Sequence, residues 1–225
     1  MRVTGAMFPL LAATAFCFTP TDARASGEDP QLSRLNNAGH SLKWNWTPPG
    51  RTARYGHAEA LIRAPLSSVR TQVLDFPHYR DLAPEKFKTS RMVAKDGANI
   101  DMYFQIPVMH GMVTLWYVAR FGAPKTIAPG VEQVEGKFVR GNIKDMNILL
   151  TMKTVDDKFT ILSCDLMVVP NLPAPQSAVD EELRDAAMNG VDAIHDRAQG
   201  SSVTYAYVSA PLESEAKPSE KLGEK

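Results

Sequence analysis

Between Arg54 and Ala64 the side chains alternate, with Ala58, Ala60 and Ile62 against His57, Glu59 and Arg63. That period of two predicts a strand with one buried face. Pro65 has no N–H to continue a ladder, and its fixed φ suits the first turn of a helix. Val69, Val73 and Leu74 then recur at helical spacing until Phe76-Pro77 stops them, because a residue before proline is pushed out of the α region. Tyr79 to Leu82 starts one more short turn, which Pro84 ends.

Six further runs have strand character: Phe87 to Ala94, Ile100 to Pro107, Met112 to Phe121, Val131 to Arg140, Lys144 to Val155 and Lys158 to Val169. Asp96-Gly97, Gly130, Gly141-Asn142 and Asp156-Asp157 supply the turns between runs. No helix intervenes, so the pattern predicts an antiparallel meander. Pro170, Pro173 and Pro175 force an extended crossing into a helix from about Gln176 to Ala198. Its apolar stripe holds Val179, Leu183, Ala186, Ala187, Gly190, Val191 and Ile194, and Gly200 follows as a stop. Upstream, Asp29-Pro30 caps a short helix over QLSRLNNAG, and Trp44 and Trp46 alternate with polar neighbours in a segment expected to lie outside the main domain. The fold class is α+β: a curved antiparallel sheet wrapped around a long C-terminal helix, with two short helices after the first strand.

The Ile62-Arg63-Ala64-Pro65 start, the Val69 to Leu74 helix and the Asp75-Phe76-Pro77-His78-Tyr79 break resemble the START/birch-pollen-allergen (SRPBCC) superfamily. The nearest branch is that of polyketide cyclase/dehydrase and coenzyme-Q-binding START-like proteins. There an extended strand ends in x-A-P, a helix follows, and D-x-x-x-Y comes next. The resemblance covers roughly Arg54 to Gln199 and implies a helix-grip fold with an apolar cavity between sheet and long helix. It does not specify function, since that superfamily includes lipid and quinone carriers, receptors, cyclases and chaperone partners.

Composition adds a destination. FPLLAATAFCF (Phe8 to Phe18) is apolar but short for a bilayer span, and Ala23-Arg24-Ala25 has the small-x-small pattern of a signal-peptidase site. Residues 1–25 are thus expected to be a cleaved signal and the product secreted or periplasmic. Residues 26–53 form an N-terminal extension, 54–200 the START-like domain and 201–225 a polar tail expected to be disordered. The chain carries 25 basic and 25 acidic residues; loss of Arg2, Arg24 and Asp22 leaves 23 against 24. Neither nucleic acid nor an anionic surface is favoured by that balance. Only Cys164 remains after cleavage, so no internal disulfide forms and stability rests on packing.

Candidate chemistry is sparse. No two of His40, His57, His78, His110 and His195 have metal-ligand spacing, and no phosphate loop, GxSxG or CxxC is present, so no cofactor or metal is expected. Asp75 and His78, beside Tyr79 and Asp81, are the only catalytic candidates, with helix capping as the plainer reading. For binding, strand alternation turns Met102, Phe104 and Ile106 one way and Ile148, Leu150 and Met152 likewise. Tyr79, Trp116, Phe138, Leu162, Leu183, Met188 and Val191 complete the expected lining, with Tyr79 or Tyr103 orienting a head group. Such positions build solid core as readily as a pocket. Pro107 to Met112 is an apolar hairpin tip suited to covering the cavity or touching a membrane, and Asn171 to Pro175 is a candidate gate. The function expected is binding, and carriage, of a hydrophobic small molecule such as a lipid, quinone or polyketide-like compound. The alternatives are a cyclase, dehydratase or hydrolase in the same cavity, or a ligand-free protein-binding module.

Overall fold

The computed structural model describes residues 29–200 apart from Ala83, Glu85 and His110, and among these residues nine strands join in one antiparallel sheet. The chain runs α1 (Pro30–Asn37), β1 (Ser41–Trp46), β2 (Tyr55–Ile62), α2 (Leu66–Val73), a 3-10 turn (Phe76–His78) and α3 (Tyr79–Leu82). It continues through β3 (Thr89–Asp96), β4 (Asn99–Val108), β5 (Val113–Phe121), β6 (Lys125–Ala128), β7 (Val131–Gly141), β8 (Ile143–Thr154), β9 (Thr160–Pro170) and α4 (Gln176–Ala198). The expected signal segment, the expected C-terminal tail and His110 lie outside the described residues.

The sheet order is β1-β2-β9-β8-β7-β5-β4-β3, with β6 paired to the start of β7. The meander and the long helix therefore appear where the alternation places them, and the fold is a helix grip. Register shifts at Met92/Ala94, Val118/Ala119 and Ile143/Asp145 bend the strands and give the sheet a concave side. Two strands differ from expectation. β6 has four exposed residues and pairs on one side only, so no alternation marks it. β1 is not a separate covering segment but the edge strand of the same sheet, paired with β2 from Ser41↔Ala60 to Trp46↔Tyr55.

α4 lies on the concave side over β2 and β9, with its flank on β1. Lys43 pairs with Asp185 at 2.8 Å, and the Asn45 side-chain amide donates to the Asp180 carbonyl while accepting from Arg184. α2 closes the opposite end of the sheet over β8 and β9, and its Arg70 forks onto Glu132 of β7. Phe76, at the break after α2, stacks on Phe121 at 4.3 Å and is almost wholly buried. The Pro65 and Phe76-Pro77 breaks thus fold the chain back over the lower end of the concave face.

The helix can approach β2 because that strand's inward residues are small: Gly56, Ala58 and Ala60. A Cβ at Gly56 would fall inside the Leu183 backbone, which has no side-chain rotamer with which to yield. Gly56→Ala is expected to cost about 1–3 kcal/mol, the range for overpacking a filled interface. Urea denaturation checks it; wild-type stability would mean that α4 rides higher on the sheet.

Candidate functional site

The concave face has a closed half and an open half. Near α2, Met102, Met152, Leu162 and Val191 are completely shielded, and Phe104 and Leu150 nearly so; Leu183 is buried farther along α4, where its backbone meets Gly56. These expected lining residues form solid core, because small β2 residues and the aromatic cluster around Phe76 leave the helix and sheet in direct contact. The other half lies toward the end carrying the β4–β5 hairpin, the β7–β8 turn and the crossing into α4. There Ile106, Phe138, Ile148 and Met188 are only half-buried, together with Leu115, Leu166 and Val168. α4 covers β2 and β9, so the inner faces of β4, β5 and β7 near this end are an apolar surface left only partly covered, a shallow trough at most.

Two expected contributors are elsewhere. Trp116 sits on the outer face, opposite Gln105 and 6.3 Å from Tyr103. β5 turns Leu115, Tyr117, Ala119 and Phe121 inward, so its tryptophan must point out. Tyr103 is outward for the same reason and lies under Arg91, so it orients nothing in the trough. Tyr79 is buried, but its hydroxyl donates to the Val73 carbonyl at 2.6 Å and is already satisfied.

The polar group that sequence reading misses is Tyr117. It is inward and buried beside Phe104 at 5.6 Å, and its hydroxyl bonds to no described residue. Burial raises its pKa, so the phenol stays protonated and can donate. The strand period alone contains the signal: Tyr117 is two residues from Leu115 and from Ala119.

Asp75 and His78 bond to each other at 2.6 Å, and Arg197 of α4 pairs with Asp75 at 3.1 Å. His78 is more than half exposed. The pair ties the 3-10 turn to the last turn of α4 and faces away from the trough. Cys164 is buried, and desolvation raises its pKa, which leaves an inert thiol. At the trough's mouth the β4–β5 tip holds Met112 76 % exposed and Met109 42 % exposed, with Met109 in the left-handed region at φ 52°. In the crossing between β9 and α4, Leu172 is half-buried and Asn171, Pro173 and Pro175 are exposed.

The outer face has its own electrostatics. His57 Nδ1 meets Asp165 Oδ1 at 2.7 Å, and the same oxygen accepts from Trp46 Nε1 at 2.7 Å. Glu59, only 1 % exposed, accepts from Gln31 and twice from Arg34, both on α1. His57 Nε2 is buried and 3.7 Å from Glu59 Oε2. Arg34 also lies over the Trp44 ring, and Lys153 pairs with Asp29. α1 is thereby fastened over the lower outer face. Desolvation works against a charged His57, but the hydrogen bonds and charges of Asp165 and Glu59 outweigh it and raise its pKa to about 9.

No protein-family model matches the chain, and no curated protein matches its sequence. Solved structures do match in fold. A STAR-related lipid transfer protein from Xanthomonas axonopodis superposes with a TM-score of 0.60 at 13 % identity, over 71 % of this chain and 94 % of that one. The lipid transfer and protein localization domain of human StarD13 gives 0.55 at 14 % identity, over 76 % and 98 %. A START superfamily protein from Mycobacterium smegmatis gives 0.52 at 16 % identity, over 72 % and 99 %.

The raised His57 pKa fixes a sign. Because it lies above the ordinary 6.5, the stabilisation from His57 is complete below about pH 6.5 and is lost as pH rises through about 9. Stability is expected to fall by about 3 kcal/mol at most over that window. His57→Gln should flatten the fall. Denaturation midpoints from pH 6 to 10 check this, and identical profiles for the two proteins would refute it.

Proposed function

Starting from the START-like helix-grip fold, we propose that this protein binds a hydrophobic small molecule in the apolar trough and carries it between membranes. The half-buried set Ile106, Leu115, Phe138, Ile148 and Met188 carries this reading, since these inward apolar positions lie on the side of the concave face that α4 does not cover. The lipid-transfer descriptions of two structural neighbours support the same class of ligand. A lipid, a quinone or a polyketide-like compound fits. Each supplies apolar length, gaining about 0.8 kcal/mol per methylene removed from water, and a polar end for the Tyr117 hydroxyl. The Ala23-Arg24-Ala25 pattern supports export, which would place the carrier in the aqueous space next to a membrane. The exposed Met109 and Met112 are the membrane contact in this reading, because flexible apolar side chains at a hairpin tip enter an interface without refolding the sheet.

Native mass spectrometry of the protein from its own host, with solvent extraction, is expected to find one hydrophobic compound at stoichiometric level. Ile148→Trp should fill the trough and abolish that species while the fold remains intact by circular dichroism. Tyr117→Phe should weaken binding of the extracted compound by about 1 kcal/mol, the value of one hydrogen bond. An apo mass that stays unchanged with lipid and quinone panels refutes the carrier.

Replacing Met109 and Met112 together with Ser is expected to lower transfer between vesicles severalfold while equilibrium binding of ligand in solution is kept. Unchanged transfer removes the tip from the mechanism.

A further inference from the structure

The outer face holds a second concavity that the trough does not explain. The sheet register lines up Trp46 with Tyr55, and Met167 with Asn147 and then Lys137, in one row across the strands. The next row sets Asp165 beside Leu149 and Glu135. α1 covers the sheet below these rows through its bonds to Glu59. Above α1 no described residue covers the face, and Pro48 and Arg51 of the β1–β2 connection line one side. The result is a groove of about 540 Å³ floored by Trp46, Tyr55, Leu149 and Met167, with Phe138 and Met146 at the side where β7 and β8 meet the trough. That volume is within the range of small-molecule sites.

We propose that this groove is a binding site for a neutral saccharide. Trp46 is partly exposed and its indole is locked by its bond to Asp165, while Tyr55, buried beside it at 6.2 Å with the rings tilted by 45°, backs it from below. A fixed indole gives a sugar's C–H face an apolar surface without loss of side-chain freedom. Around that surface stand acceptors and donors in the mixture that hydroxyl groups need. Asn147 donates to Glu135 at 3.2 Å and receives a long 3.4 Å bond from the Tyr55 hydroxyl. Glu135 also pairs with Lys137 at 3.1 Å, and Asp145 and Arg51 complete the rim. Burial raises the Tyr55 pKa; the Arg51 charge opposes that rise and the Asp145, Asp165 and Glu135 charges add to it.

Charge selects among ligands. Arg51 and Lys137 balance Glu135 and Asp145, so the rim offers an ionic ligand no net attraction. A bare acyl chain would leave those four groups desolvated without partners. A neutral polyhydroxylated molecule with one apolar face satisfies both halves of the lining.

Isothermal titration of the mature protein with cellobiose, maltose and chitobiose tests the site, with glucuronate and a fatty acid as controls. At least one of the three disaccharides is expected to bind saturably at millimolar concentration or below. Arg51→Ala, on an exposed connection, and Glu135→Ala should each weaken it about tenfold, as expected for losing a hydrogen bond to a charged group. Ile148→Trp should leave it unchanged, which separates this site from the trough. The proposal is overturned if none of the three disaccharides binds, if glucuronate or the fatty acid competes for the same site more tightly, or if binding survives Arg51→Ala at full strength.

Discussion

The close seating of α4 on β2 organises everything else in this molecule. A helix of bulky residues normally stands about 8–10 Å from its neighbour's axis, and only small side chains at the contact shorten that distance. Here β2 presents Gly56, Ala58 and Ala60 inward, and α4 answers with Ala187 and Val191, all buried. The helix is therefore held to one side of a sheet that is far wider than a helix. Bulky inward residues on the remaining strands, among them Phe104, Phe138 and Ile148, cannot reach it and turn toward each other or toward an open trough. Closure at one edge produces the concavity at the other.

The lower end of that concavity is sealed by the short helices. Phe76 and Tyr79 insert beside Phe121, and Tyr79 spends its hydroxyl on the Val73 carbonyl. Asp75, His78 and Arg197 then hold the 3-10 turn to the end of α4. Among the described residues these polar side chains hold the end of the sheet opposite the β4–β5 tip. Tyr117 faces inward, and its hydroxyl has no bond to another described residue.

The outer face follows different physics. A carboxylate as hidden as Glu59 needs several donors, and α1 provides Gln31 and Arg34 while His57 adds its charge. The cluster fastens α1 to the lower outer face, and among the described residues nothing covers the upper rows. The aromatic pair Trp46 and Tyr55 lies at that boundary, with one tryptophan nitrogen tied into the same cluster. The anchoring of the N-terminal segment and the shape of the outer groove are thus one feature.

Much of this was present in local pattern. Alternation over Arg54 to Ala64, the breaks at Pro65 and Phe76-Pro77, the hairpin turn at Asp96-Gly97, where φ is 56°, and the stripe on α4 are consequences of short-range stereochemistry, so they could be read from the chain. β6 could not, because four exposed residues carry no period, and β1 was visible only as two tryptophans. Lining was harder still. Alternation assigns a residue to one of two faces, but which face is inward, and whether it is covered, depends on where a distant helix lands. Met102, Met152 and Leu162 became solid core, Trp116 went to the outside, and Tyr117 emerged as the free inward hydroxyl. His57 and Asp165 are 108 residues apart and meet only because β2 closes against β9. Sequence by itself determined the elements and their order, since those rest on neighbouring residues. The open trough, the buried ion cluster and the outer groove were decided by tertiary structure, since each is made by strands that meet across the sheet.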